Sequence, residues 1–164
     1  MVDFRRGPEL EDAIIVILRI CMGWTFLWAA IHHFGDAGFV SGFLTHTKTF
    51  HDIYAPMAQS SFVPLLTFMV EYGHLLIGLS LISGLLVRAS APFAILLMLL
   101  YWTAHMDFPY IENVNNLLVD YHIVYGVVLV YLMRTNAGHV LGLDAWAARL
   151  AAVRDNSQLA WLVG

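Results

Sequence analysis

Glu71 and His74 stand three residues apart in an apolar run, so they share one face of a helix. A carboxyl and an imidazole placed together can pass protons, because imidazole gains and loses its proton near neutral pH. Gly78 continues that face and permits close helix approach. A buried carboxylate is stabilised by a nearby cation, and Arg19 is the fixed cation inside another apolar run. Its reach predicts an Arg19–Glu71 pair between two helices, with His74 beside it. Two plainer readings stand next to this one: Arg19 snorkelling to headgroups, and an Arg19–Glu71 pair that serves structure alone.

Arg19, Gly23, Phe26, Ala30 and His33 recur at helical spacing and form one stripe, from an arginine at one end to a histidine at the other. Asp120 and His122 lie near the start of a later apolar run. Two helical residues are about 200° apart in rotation, so these two are expected to face different ways. His122 shares a face with Tyr125 and Gly126, which reads as inward, and Asp120 is expected to meet water or His105. His105 ends the preceding run, with Tyr101 and Trp102 one turn below it. His32 and His33 end the first run, His46 and His51 follow it, and His139 lies near the other end of the chain.

Several chemistries can be tested against this set. Di-iron bundles need two Glu-x-x-His motifs, and Glu71–His74 is the single copy. Nucleotide-binding loops and hydrolytic nucleophile motifs are absent. Haem ligation by His74 and His122, from different helices, stays open. A proton-coupled site for a membrane-soluble ring fits the residue types better. In it Glu71, His74 and His122 are the candidate catalytic groups, and Arg19, His33, His105 and Asp120 the candidate substrate-binding ones. Trp24, Phe26, Trp28, Phe68 and Trp102 could wall the ring in, although such aromatics also serve as packing and interface anchors.

The elements that must position these groups follow from composition. Of 164 residues, 60% are apolar and 12% charged, with a mean hydropathy of +0.72. Ordinary soluble domains run about 45–50% apolar and about 25% charged. A soluble globule of this size could not hide so much apolar surface. Eight basic residues and a net charge of −4 exclude a nucleic-acid partner. A single cysteine, Cys21, excludes an internal disulfide and a multi-cysteine metal site. The expected architecture is an all-α membrane protein, one four-transmembrane-helix bundle with spans near 13–34, 62–87, 89–106 and 117–133. The long first run containing Arg19 argues against a cleavable signal peptide.

Arg5, Arg6, Arg88, Arg134, Arg149 and Arg154 fall on one side of such a bundle, and Lys48 on the other. By the positive-inside rule both termini are expected in the cytoplasm, in a multi-pass inner-membrane protein. The outer loop 35–61 carries Phe39, Phe43, Phe50 and Tyr54 at near-helical spacing and predicts an interfacial segment. Residues 145–162 predict a cytoplasmic amphipathic helix capped by Asp144, with Trp146, Leu150 and Val153 as its apolar stripe.

On these motifs the chain resembles the DoxX-type membrane proteins. The run Arg19-Ile20-Cys21-Met22-Gly23 matches their R-x-x-x-G signature. Glu71 to Leu79, followed by Gly84-Leu85-Leu86-Val87-Arg88, is similar to further runs of that family, and the closing Gly138 to Asp144 resembles its end-of-bundle G-x-x-x-x-L-D. The resemblance covers residues 14–146. The long first outer loop, with Phe39 to Leu44, is more similar to the DoxD branch, the large membrane subunit of archaeal thiosulfate:quinone oxidoreductase, which works with a small partner. The resemblance implies four helices and an oxidoreductase, or a subunit of one, passing electrons from a small reductant outside, such as thiosulfate, to a membrane quinone. Quinone is then a co-substrate, no cofactor is held covalently, and a small or soluble redox partner and a homo-oligomer are in view. The other readings are a non-catalytic anchor for a redox partner and a haem-bearing electron-transfer subunit. Where DoxX-type proteins often carry a lysine at the outer end of the first span, this chain has His32 and His33. Binding an anion there would need protonated histidines, which predicts faster turnover at acid pH.

Overall fold

In hydrocarbon every backbone N–H and C=O must find its partner within the protein, and an α-helix supplies those partners within its own segment. The long apolar runs accordingly form helices. The computed structural model describes residues 8–105 and 119–164, with side chains from 10 to 104 and from 119 to 164. Its main helices are α1 (Pro8–His33), α4 (Val63–Ser83), α5 (Val87–His105) and α6 (Tyr121–Arg134). Two short helices, α2 (Phe39–Thr45) and α3 (His51–Met57), bridge α1 to α4. Three more, α7 (Asp144–Ala147), α8 (Ala151–Arg154) and α9 (Ser157–Val163), follow α6 after a 3-10 turn at Ala137–His139. No strand occurs among the described residues.

Among the described residues, three helices are long and apolar enough to cross a membrane: Leu10–His33, Val63–Ser83 and Val87–Ala104. Helix α6 is apolar but has 14 residues, about 21 Å at 1.5 Å per residue. The expected fourth span, 117–133, begins outside the described residues, and α6 falls within its range. Large apolar side chains point outward along all four, with Ile17 60%, Phe93 67% and Val127 64% exposed. That surface suits a bilayer and not water. Phe26, Leu81, Leu129 and Leu132 fill the interior.

Helix α1 packs along α4, and α5 along α6. The α1–α4 crossing is close because both sides are bare: a Cβ on Gly78 would stand 2.7 Å from Leu27 N, and one on Gly23 2.8 Å from Ile82 Cγ1. Helices α4 and α5 touch through Ser80 and Ser90, whose hydroxyls are 2.8 Å apart. An apolar groove of 660 Å³ runs along their joint.

One end of the bundle is closed by a clasp. Arg19 is 2% exposed, and its Nη1 donates to Ala137 O at 2.5 Å and Val140 O at 2.8 Å. Its Nη2 donates to Leu141 O at 3.2 Å. The chain between α6 and α7 returns the grip: Leu143 N donates to Ser83 O and Asp144 N to Gly84 O. The Asp144 carboxylate then accepts from Leu86 N at 2.7 Å and Val87 N at 3.2 Å, at the start of α5. Leu86 and Leu141 both hold left-handed backbone, at φ 57° and 49°, a conformation that costs roughly 1–2 kcal/mol in a non-glycine residue. Each takes part in one of these bonds, which offset that cost.

The clasp overturns two expectations. Arg19 does not pair with Glu71, because its two terminal nitrogens donate to three carbonyls beyond α6. Asp144 does not cap α7 either; it is the first residue of that helix, and its carboxylate serves α5. The expected single helix over 145–162 is broken into α7, α8 and α9, with Leu150 extended at ψ 133° between the first two.

Candidate functional site

At the opposite end of the bundle from the clasp, five helices line a cavity of 310 Å³. Phe26 and His33 come from α1, Phe39 and Phe43 from α2, His74 from α4, Met98 and Tyr101 from α5, and Tyr121, His122 and Tyr125 from α6. The helical repeat explains the placement. Phe26 and His33 lie on the inward stripe of α1, Tyr101 lies three residues beyond Met98 on α5, and Tyr125 one turn beyond Tyr121 on α6. The volume sits at the lower end of the range of about 300–1,000 Å³ for small-molecule sites, and the lining is mostly aromatic with a few polar groups, as such sites are.

His74 is 4% exposed. Its Nδ1 donates to Val70 O at 2.7 Å, one turn back on its own helix. That bond sets the tautomer and leaves the lone pair on Nε2, which faces Tyr101 Oη at 3.4 Å. The two rings lie 16° from parallel with centroids 5.8 Å apart. Tyr101 also stands 5.8 Å from the His122 ring, and Phe43 meets Tyr101 edge-on at 5.4 Å. His33 stacks on Phe39, centroids 3.6 Å apart. Helix α2 therefore covers the cavity, and α3 is tied to α5 by Tyr54 Oη and Thr103 Oγ1, 2.9 Å apart.

Asp120 and His122 meet, against the rotation argument. Asp120 is not in the helix: it is the N-cap of α6, with extended backbone at ψ 148°. Its Oδ1 accepts from His122 N at 2.7 Å and from His122 Nδ1 at 2.5 Å. Both residues are buried, at 4% and 6% exposed. The arrangement is a carboxylate–imidazole dyad that holds the Nδ1–H tautomer and turns Nε2 away from Asp120.

Glu71 falls outside this cavity. Its Oε1 accepts from Gly35 N at 2.9 Å, at a left-handed turn (φ 82°) that ends α1. It holds the start of the α1–α2 connection, and so positions the segment that carries Phe39. The side chain of His105 lies outside the described residues. Of the expected aromatic wall, Phe26 lines the cavity, while Trp24, Trp28 and Phe68 are more than half exposed on the outer surface. His32, His46 and His51 each bond a carbonyl four residues back, so they anchor their own segments. Among the described residues no group of three His, Cys, Asp or Glu could hold a metal ion.

The model of one protein family, DoxX, matches residues 14–106. The chain belongs to the DoxX family. No curated protein and no solved structure matches it. In this DoxX protein the residues that carried the resemblance serve two purposes. Arg19, Gly84, Gly142 and Asp144 build the clasp, where a Cβ on Gly84 would stand 2.8 Å from Arg19 Nη1. His74 turns into the cavity, as do Phe39 and Phe43 from the outer-loop stretch. Tyr101, Tyr121 and Tyr125 line the cavity beyond the expected site set; the sequence signal for Tyr125 is its spacing of three from His122.

A haem fits this DoxX site poorly. Ligation by His74 and His122 needs one nitrogen from each, yet His74 has Nδ1 on Val70 O and Nε2 toward Tyr101. Tyr101 would have to leave.

Proposed function

We propose that this DoxX protein is a membrane oxidoreductase, or the membrane subunit of one, and that its cavity binds the head group of a quinone. The observation that carries this reading is the convergence of His74–Tyr101 and Asp120–His122 on one aromatic-lined cavity. Reducing a quinone to its quinol takes two electrons and two protons. Two separate hydrogen-bonded arms, one ending at Tyr101 and one at His122, can each face an oxygen of a flat ring and exchange a proton with it. His33, beside the α2 cover, lies where a small reductant would arrive from the outer side. The similarity to the DoxD branch favours a reduced sulfur anion such as thiosulfate as the electron source, with a small partner protein completing the assembly. In this reading the clasp faces the cytoplasm, in keeping with the arginines at that end.

The test is titration of the purified protein in lipid nanodiscs with a 1,4-naphthoquinone, followed by tryptophan quenching. Saturable binding is expected, weakened about tenfold in His74→Ala and in His122→Ala, the effect of losing about 1.4 kcal/mol of hydrogen bonding and packing. Unchanged affinity in both variants would sink the reading.

A second reading is favoured by the surface at the clasp end. Leu141 is 85% exposed, Trp146 59% and Trp161 56%, and Arg88 lies over the Trp161 ring at 5.2 Å. Such a face suits an anchor that docks a redox partner. A protein that binds no quinone but co-purifies with a soluble oxidoreductase would favour it.

A further inference from the structure

A second groove, of 450 Å³, runs between α5 and α6 and meets the cavity at Met98 and His122, which line both. Its other lining is almost wholly apolar, with Ile95 and Leu99 on α5 facing Ile123 and Val127 on α6. It opens to the lipid side, where Leu99 is 50% and Val127 64% exposed. The middle of the groove is bare because Gly126 lines it, and a Cβ there would meet no atom within 4 Å. Met98, the gate between the two spaces, is unbranched and adaptable. The larger α4–α5 groove shares no lining residue with the cavity.

We infer that the α5–α6 groove receives the isoprenoid tail of a lipid quinone, which reaches the cavity sideways from the bilayer past Met98. This rests on the quinone reading of the cavity and adds the class of quinone and its route. The ring needs the polar, aromatic cavity. A long hydrocarbon tail on that ring cannot follow it into so small a space and cannot leave through the α2 cover into water. Among the described residues, the groove beside Gly126 gives the tail a continuous apolar exit.

A naphthoquinone with a photoreactive diazirine in its first isoprene unit tests this in nanodiscs. Cross-links are expected on the peptides around Leu99 and Gly126–Val127, and excess tail-less naphthoquinone should suppress them. Gly126→Leu fills the groove without touching the core, and Val127→Trp blocks its rim from an exposed position. Each should remove most of the cross-linking while tail-less ring binding stays unchanged. Gly73→Leu, which fills the α4–α5 groove where a Cβ also meets no atom within 4 Å, should have no effect. Cross-links at Leu76 or Phe93 on the α4–α5 groove, or plugs without effect, would overturn the tail route and leave the ring site standing. A tail-less ring that neither binds nor competes would overturn the quinone reading and this inference with it.

Discussion

Asp120 Oδ1 accepts two hydrogen bonds from His122, one from its backbone N–H and one from Nδ1–H. One oxygen thereby starts helix α6 and fixes the tautomer and aim of a buried imidazole. The two roles can be separated. Asp120→Ala loses the cap, at about 0.5–2 kcal/mol. Asp120→Asn keeps a capping carbonyl oxygen but loses the charge that holds His122. The expected outcome for Asn is a near-normal melting temperature with turnover and ring affinity reduced, read by fluorescence melting and quinone titration side by side.

Tyr101 faces both histidine arms. Tyr101→Phe keeps the ring between Phe43 and His74 and removes the hydroxyl. The Oη to Nε2 distance of 3.4 Å is long for a hydrogen bond, so ring affinity should fall by less than about tenfold. Tyr101→Ala also opens the stack and should weaken binding further. Equal affinities for Phe and Ala would show that the hydroxyl, not packing, is what Tyr101 supplies.

Glu71→Gln separates a proton-transfer role from a positioning one. A glutamine oxygen can still accept from Gly35 N, so binding and turnover should stay within about twofold of the natural protein. Glu71→Ala releases the α1–α2 turn, and its loss should appear as weaker ring affinity through displacement of Phe39 and His33. A large loss of turnover in Gln with unchanged affinity would return Glu71 to the chemistry.

Arg19 carries stability. Removing it leaves three carbonyls, one buried and two partly buried, without their donor, and hydrogen bonds to a charged group are worth about 1.5–3 kcal/mol each. Arg19→Met should lower the melting temperature sharply or abolish folded yield, and Arg19→Lys should recover part of the loss. The folded fraction of either should bind the ring with natural affinity.

Asp144 gives the clasp a pH dependence. Burial pushes its carboxyl above the ordinary carboxylate range, against the pull of the Leu86 and Val87 N–H groups, His139 and Arg19. The folded protein therefore holds this proton in a window where the unfolded chain has lost it, so stability falls as pH rises from about 4 through the raised folded value and then levels. Asp144→Asn should be less stable at all pH and should lack that slope. Melting curves in detergent between pH 4 and 7 check it.

Much of this protein is determined by local sequence. The apolar runs determine helices and a bilayer environment, because hydrocarbon admits little else. The 3.6-residue period determines that Arg19, Gly23, Phe26, Ala30 and His33 face inward, and all but the half-buried His33 are buried. Spacing also puts His74 with Gly78 and His122 with Tyr125 on inward faces. Tertiary structure decided which ions and donors meet. Arg19 finds its carbonyls 118 to 122 residues away, a distance no periodicity reports, and so it leaves Glu71 to Gly35. Asp120 joins His122 because the helix begins one residue after Asp120, and a cap obeys turn geometry, not the 100° step of a helix. The site itself exists only where four helices and the α2 cover converge, since each brings one to three rings and none alone encloses a ligand.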